Sequence, residues 1–131
     1  MDYLQINTDS ELQQLCGLLA SEPIIAFDTE FVSEYTYRPQ LCLIQVAAGK
    51  HLAIIDTLSV QDLSPFWNLL ATGVGCTIVH AGREEVCFSL TAIGEVPAQL
   101  FDVQIAAGLI GLEYPASYRS LSKKLLNQNP A

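Results

Sequence analysis

The stretch Ile24-Ile25-Ala26-Phe27-Asp28-Thr29-Glu30 runs four apolar residues straight into two acids separated by one threonine. Ile-Ile-Ala-Phe reads as a short buried strand, and charge is normally excluded from such strands. In a strand, residues i and i+2 point to one face, so the two carboxylates project together, about 7 Å apart along the backbone. Two anions side by side repel each other and resist desolvation unless a cation sits between them. Oxygen-only ligands suit Mg²⁺ or Mn²⁺ rather than zinc. From spacing alone, a divalent-cation site and a solvent-facing carboxylate pair stand equally open, because Asp-x-Glu is a common pattern.

Around this strand the chain reads as alternating helices and strands. Upstream, Tyr3 to Ile6 reads as a short strand, and Thr8-x-x-Glu11 is a capping box for a helix with Leu12, Leu15, Cys16 and Leu19 on one stripe. Pro23 ends that helix and leads into the Asp28 strand. Downstream, 31–39 carries Tyr35, Tyr37 and Arg38 and reads as a loop. Strands 41–47 and 51–56 follow, joined by the tight turn Ala48-Gly49-Lys50 and therefore antiparallel. Leu63, Phe66, Trp67 and Leu70 mark a helix of about a dozen residues. Strand 76–80 precedes a helix from Arg83 to Ile93 with Val86, Leu90 and Ile93 as its expected buried stripe. Strand 98–102 feeds a helix over 103–110, and Tyr118, Leu121 and Leu125 mark a last helix with Lys123 and Lys124 near its C-terminal end. This order predicts an α/β domain with a mixed five-stranded sheet flanked by helices.

Composition narrows the setting. The 131 residues leave room for one core, and a 50% hydrophobic, 15% charged chain is not disordered. No apolar run reaches membrane-spanning length and Met1-Asp2-Tyr3 lacks a secretory start, so no membrane partner and a cytoplasmic location are expected. Cys16, Cys42, Cys76 and Cys87 form no C-x-x-C pair and no cluster with His51 or His80, which favours free thiols over zinc or disulfides. The net charge of −8 counts against a freestanding nucleic-acid binder, although bound cations would neutralise an acidic site.

Four ordered motifs carry a resemblance. They are Phe27-Asp28-Thr29-Glu30-Phe31, Leu41-Cys42-Leu43-Ile44-Gln45-Val46, His80-Ala81-Gly82-Arg83-Glu84-Glu85-Val86, and Leu100-Phe101-Asp102-Val103-Gln104-Ile105-Ala106-Ala107. From Pro23 to Leu126 the chain resembles the ribonuclease D branch of the DEDD-type 3′–5′ exonucleases, which implies a ribonuclease H-like fold. In that family four acids in three motifs hold two divalent metals that activate a water against the terminal phosphodiester of RNA. The resemblance implies Asp28, Glu30 and Glu85 as catalytic residues and as ligands of Mg²⁺ or Mn²⁺. It implies Thr29, Phe31 and His80 as substrate-binding residues at an RNA 3′ end, with core packing as the alternative for Phe31.

Two departures bear on that reading. Where the family has Asp five residues after the strand-end histidine, this chain has Glu85, whose extra methylene shifts the carboxylate by about 1 Å, enough to matter in catalysis. The neighbouring Glu84 is expected in solvent, and Asp102 is expected to cap the following helix rather than to bind metal. Asp56 is expected to cap a turn after its strand. The family's third motif, Tyr-x3-Asp on a late helix, is missing: four residues after Tyr35, Tyr37, Tyr114 and Tyr118 stand Pro39, Leu41, Tyr118 and Ser122. Residues 1–131 are therefore expected to be a truncated 3′–5′ exonuclease domain, with motifs I and II, an incomplete two-metal site and no C-terminal helix. The apolar face left by that helix is expected to favour self-association or a partner chain. The alternative is a catalytically inactive exonuclease-fold binding or scaffold module. An unrelated phosphoryl-acceptor domain using Asp28 or Asp56 is a weaker third reading.

Overall fold

Thr8 and Glu11 close the first helix start reciprocally: the Thr8 hydroxyl accepts the Glu11 amide at 3.1 Å, and Glu11 Oε2 accepts the Thr8 amide at 3.1 Å. In this computed structural model, which describes residues 2–34 and 37–130, that capping box opens helix α1 (Asp9–Leu19). Tyr35, expected in the 31–39 loop, lies outside the described residues, as do Met1, Thr36 and Ala131. Strand β1 (Leu4–Ile6) precedes α1, and β2 (Ile24–Val32), β3 (Gln40–Ala48) and β4 (His51–Asp56) follow it. Then come α2 (Ser64–Thr72), β5 (Cys76–Val79), α3 (Arg83–Ile93), β6 (Leu100–Asp102), α4 (Val103–Leu109) and α5 (Tyr118–Leu126).

The strands form one mixed sheet in the order β1-β4-β3-β2-β5-β6. The antiparallel β2–β3–β4 meander sits at its centre, and Gly49 takes the left-handed conformation (φ 57°) that the β3–β4 turn requires. The expected five-stranded sheet is corrected to six. Short β1, itself expected as a strand, forms one edge and pairs parallel with β4 through Leu4, Gln5 and Ile6 opposite Ala53, Ile54 and Ile55.

One face of the sheet holds the main core. Leu12, Leu15 and Leu19 of α1 and Phe66, Trp67 and Leu70 of α2 pack over Ile25, Phe27, Ile44, Val46, Ala53 and Ile55. Phe27 stands edge-on to both Phe66 and Trp67, with ring centroids 5.6 and 5.8 Å apart. A smaller cluster of Ala107, Ala116 and Leu121 joins α4 to α5.

The other face is open at its centre, which corrects two expectations. Strand β2 is not buried on both sides: Ile25, Phe27 and Thr29 point into the core, while Ile24, Asp28 and Glu30 are exposed. Strict alternation wins over the apolar run, because the helices of the main core pack on the Ile25 and Phe27 side of this strand. Helix α3 likewise does not bury Leu90, which is 46% exposed; Glu85 and Ser89 are the fully buried residues on that helix. The Ser89 hydroxyl is satisfied by the Glu95 carbonyl at 2.7 Å.

Candidate active site

Asp28 and Glu30 stand on the open face of β2, opposite Gln45 and Leu43 of β3. Both are exposed, and Asp28 Oδ1 accepts the Thr29 amide at 2.9 Å. Immediately beyond Glu30 the register slips: Glu30 pairs with Leu43 but Phe31 pairs with Leu41, so Cys42 is the extra residue of a bulge on β3. The bulge ends the regular ladder beside the two acids. The spacing therefore does what alternation demands, and both carboxylates share one side.

Thr29, between them, faces the other way. It is buried, and its hydroxyl donates to Glu85 Oε1 at 2.6 Å, tying β2 to α3. Glu85 is the third residue of α3, where the unpaired amides of a helix start favour a carboxylate. Burial nonetheless pushes its carboxyl above the usual range; the Thr29 hydroxyl opposes that rise and the nearby Asp28 charge adds to it.

Among the described residues no group of three or more His, Cys, Asp or Glu side chains is placed to hold a metal ion. Two acids share the open face, and the third is drawn to the Thr29 hydroxyl on the buried side. The Thr29 side chain is enclosed rather than presented on the open face.

The turn that launches α3 is built from across the sheet. Asp102 Oδ1 accepts the amides of Ala81 (3.0 Å) and Gln104 (2.9 Å), and Oδ2 accepts that of Gly82 (2.9 Å). One carboxylate thus caps α4 and pins the β5–α3 turn. Burial raises its pKa, but the amides of Gly82, Ala81, Gln104 and Ile105 outweigh it and hold the carboxyl below the usual range. Ala81 sits in the left-handed region (φ 52°), and a Cβ on Gly82 would collide with the Val79 side chain. The capping role expected for Asp102 is present; its grip on the Ala81-Gly82 turn is what sequence reasoning missed. The signal available was the Ala-Gly pair directly after a strand.

His80 and Phe31 are engaged internally. His80 Nε2 lies 2.8 Å from the Ala116 carbonyl, which also accepts from Gln104 Nε2 at 3.1 Å, and the imidazole meets Tyr118 edge-on at 6.2 Å. Phe31 is exposed, lies outside the core cluster and stands edge-on to Phe88 of α3 at 5.7 Å. Asp56 binds the Leu58 amide and the Ser59 hydroxyl, as expected of a turn cap. The four cysteines are free thiols, and burial raises Cys16 to about 11.

Against known proteins, a family model described as 3′–5′ exonuclease matches residues 3–131. The chain belongs to the ribonuclease D-like 3′–5′ exonuclease family. Ribonuclease D of Escherichia coli is 44% identical over 111 residues, covering 85% of this chain and 30% of that protein. Ribonuclease D of Acidiphilium cryptum is 38% identical over 121 residues, covering 92% of this chain and 31% of its own length. The crystal structure of E. coli RNase D, described as an exoribonuclease involved in structured RNA processing, superposes with a TM-score of 0.93 at 38% identity, over all of this chain and 35% of that one. The catalytic core of RRP6 from Trypanosoma brucei shares the fold, with a TM-score of 0.86 at 21% identity. The ribonuclease H-like architecture follows, and the chain spans about a third of the length of the ribonuclease D relatives it matches.

Proposed function

We propose that this chain carries the first two acidic motifs of a divalent-cation-dependent 3′–5′ exoribonuclease and that its substrate is the 3′ end of RNA. The observation that supports this most is the shared face of Asp28 and Glu30 at a bulged strand end. An exposed, oxygen-only donor pair fits Mg²⁺ or Mn²⁺, which keep several waters and need few protein ligands. When bound, such cations supply charge stabilisation to the attacking and leaving oxygens of phosphodiester hydrolysis.

The protein's own residues supply orientation. Asp28 and Glu30 hold the cations on the open face, and Glu85 sits one layer behind them on α3. With a net charge of −8, the chain meets a polyanion at this face only once cations neutralise it. RNA as substrate class rests on the E. coli relative, described as an exoribonuclease. No helix among the described residues is long and apolar enough to cross a membrane.

One observation favours a second reading, a non-catalytic module of the same fold. Glu85 is bonded to Thr29 rather than grouped with Asp28 and Glu30. Calorimetric titration with Mn²⁺ separates the two readings. The exonuclease reading predicts binding that Asp28→Ala abolishes; equal affinity in wild type and variant rejects the site and leaves the non-catalytic module.

A further inference from the structure

We infer that the side of α5 carrying Tyr118, Arg119 and Lys123 is a docking surface for the body of a single-stranded RNA, with a base stacked on Tyr118 and phosphates on the two cations; the class of partner rests on the exoribonuclease reading above. The chain holds six lysines and arginines against fourteen aspartates and glutamates, so its net field repels a polyanion. Three of those six cations, Arg119, Lys123 and Lys124, fall within α5, and no acid does. Lys124 is neutralised by Glu113, 3.3 Å away. Arg119 and Lys123 are exposed, and among the described residues neither is in an ion pair or a side-chain hydrogen bond. Four residues apart, they share one side of the helix, about 6 Å apart along its axis.

The packing of α5 keeps that side outward. Leu121 and Ser122 turn inward, and the Ser117 hydroxyl caps the first turn by accepting the Ser120 amide at 3.0 Å. Tyr118 meets the His80 ring edge-on and is still 62% exposed. That contact places the start of α5 at the end of the sheet where the two acids lie. Strand β5 runs parallel to β2 with Ile78 opposite Ala26, and two residues beyond those partners come His80 and Asp28. An exposed aromatic ring beside unpaired cations is the combination that holds single strands, because every base has a face to stack and every phosphate a charge to meet. Stacking and backbone contacts read no sequence, so the surface takes RNA of any sequence.

Fluorescence anisotropy of a labelled oligoadenylate, titrated in EDTA at several salt concentrations, tests the surface with no contribution from bound cations. Arg119→Gln/Lys123→Gln is expected to lower the slope of log affinity against log salt by about 1.4 and to weaken binding roughly 20-fold at about 0.1 M salt. Tyr118→Ala is expected to weaken binding about 5–100-fold with the slope unchanged, since stacking releases no counterions, and Tyr118→Phe to bind as wild type does. Lys50→Gln, which removes a cation from the β3–β4 turn, is expected to leave affinity and slope as in wild type. Thermal melting of each variant separates lost binding from lost fold, and Tyr118→Leu takes the place of Tyr118→Ala where the latter fails to fold. Equal slopes in wild type and the double variant, or a loss in Lys50→Gln as large as in Arg119→Gln alone, overturn the inference while Asp28-dependent Mn²⁺ binding stands. Wild-type affinity in Tyr118→Ala overturns the stacking role. Binding of phosphatidylserine vesicles in place of RNA assigns the face to a lipid surface and overturns the inference as well. No RNA bound in either EDTA or Mn²⁺ removes RNA as the partner, and the inference with it.

Discussion

Asp102 Oδ2 accepts the Gly82 amide at 2.9 Å across the β5–β6 edge, so the carboxylate that caps α4 also fixes where α3 begins. Three backbone donors converge on one side chain, and the turn they hold includes the left-handed Ala81. Removing the carboxylate frees that turn and unseats the helix that bears Glu85. Asp102→Ala is expected to lower stability by about 2 kcal/mol, from a lost cap and lost charge-assisted bonds, read by urea denaturation.

The same carboxyl gives a pH dependence with a defined sign. Its pKa is depressed in the folded state, so its stabilisation is present above the unfolded value of about 3.9 and is lost as pH falls through the lower folded value. Melting temperatures of wild type and Asp102→Asn are expected to differ at neutral pH and to converge below that window.

Glu85 has the opposite sign. Burial raises its carboxyl in the folded state, so its ionised form opposes folding at neutral pH when no cation is added. Glu85→Gln keeps an acceptor for the Thr29 hydroxyl and is expected to melt higher than wild type at pH 7. That advantage is expected to shrink as pH falls through the raised folded value and to vanish below about 4.3, the unfolded value. Thermal scans across that range in chelator check it.

Phe27 carries the core beneath the site, touching Phe66 and Trp67 edge-on from the strand that bears Asp28. Phe27→Ala is expected to cost about 3–5 kcal/mol in chemical denaturation, with the cavity left behind contributing to the loss.

Much of this molecule was legible before any coordinates. The Thr8–Glu11 box, the Gly49 turn and the bounds of α3 follow from local chemistry, because capping and tight turns are decided by neighbouring residues. The side-sharing of Asp28 and Glu30 followed from the two-residue strand period alone. What escaped the sequence depended on partners distant along the chain. Ile24 looked buried because its neighbours are apolar, yet no helix covers that side of β2 at its position. Leu90 fits a helical stripe, but α3 turns Glu85 and Ser89 inward, since Thr29 and the Glu95 carbonyl offer them bonds. The pairing of β1 with β4 likewise joins segments some 50 residues apart.

The most direct measurement of the central claim is an anomalous difference map from crystals soaked in Mn²⁺. A strong peak is expected between the Asp28 and Glu30 carboxylates on the open side of β2, absent from crystals of Asp28→Ala. Wild-type crystals with no peak there, or with the two carboxylates turned apart and manganese bound elsewhere, would contradict it.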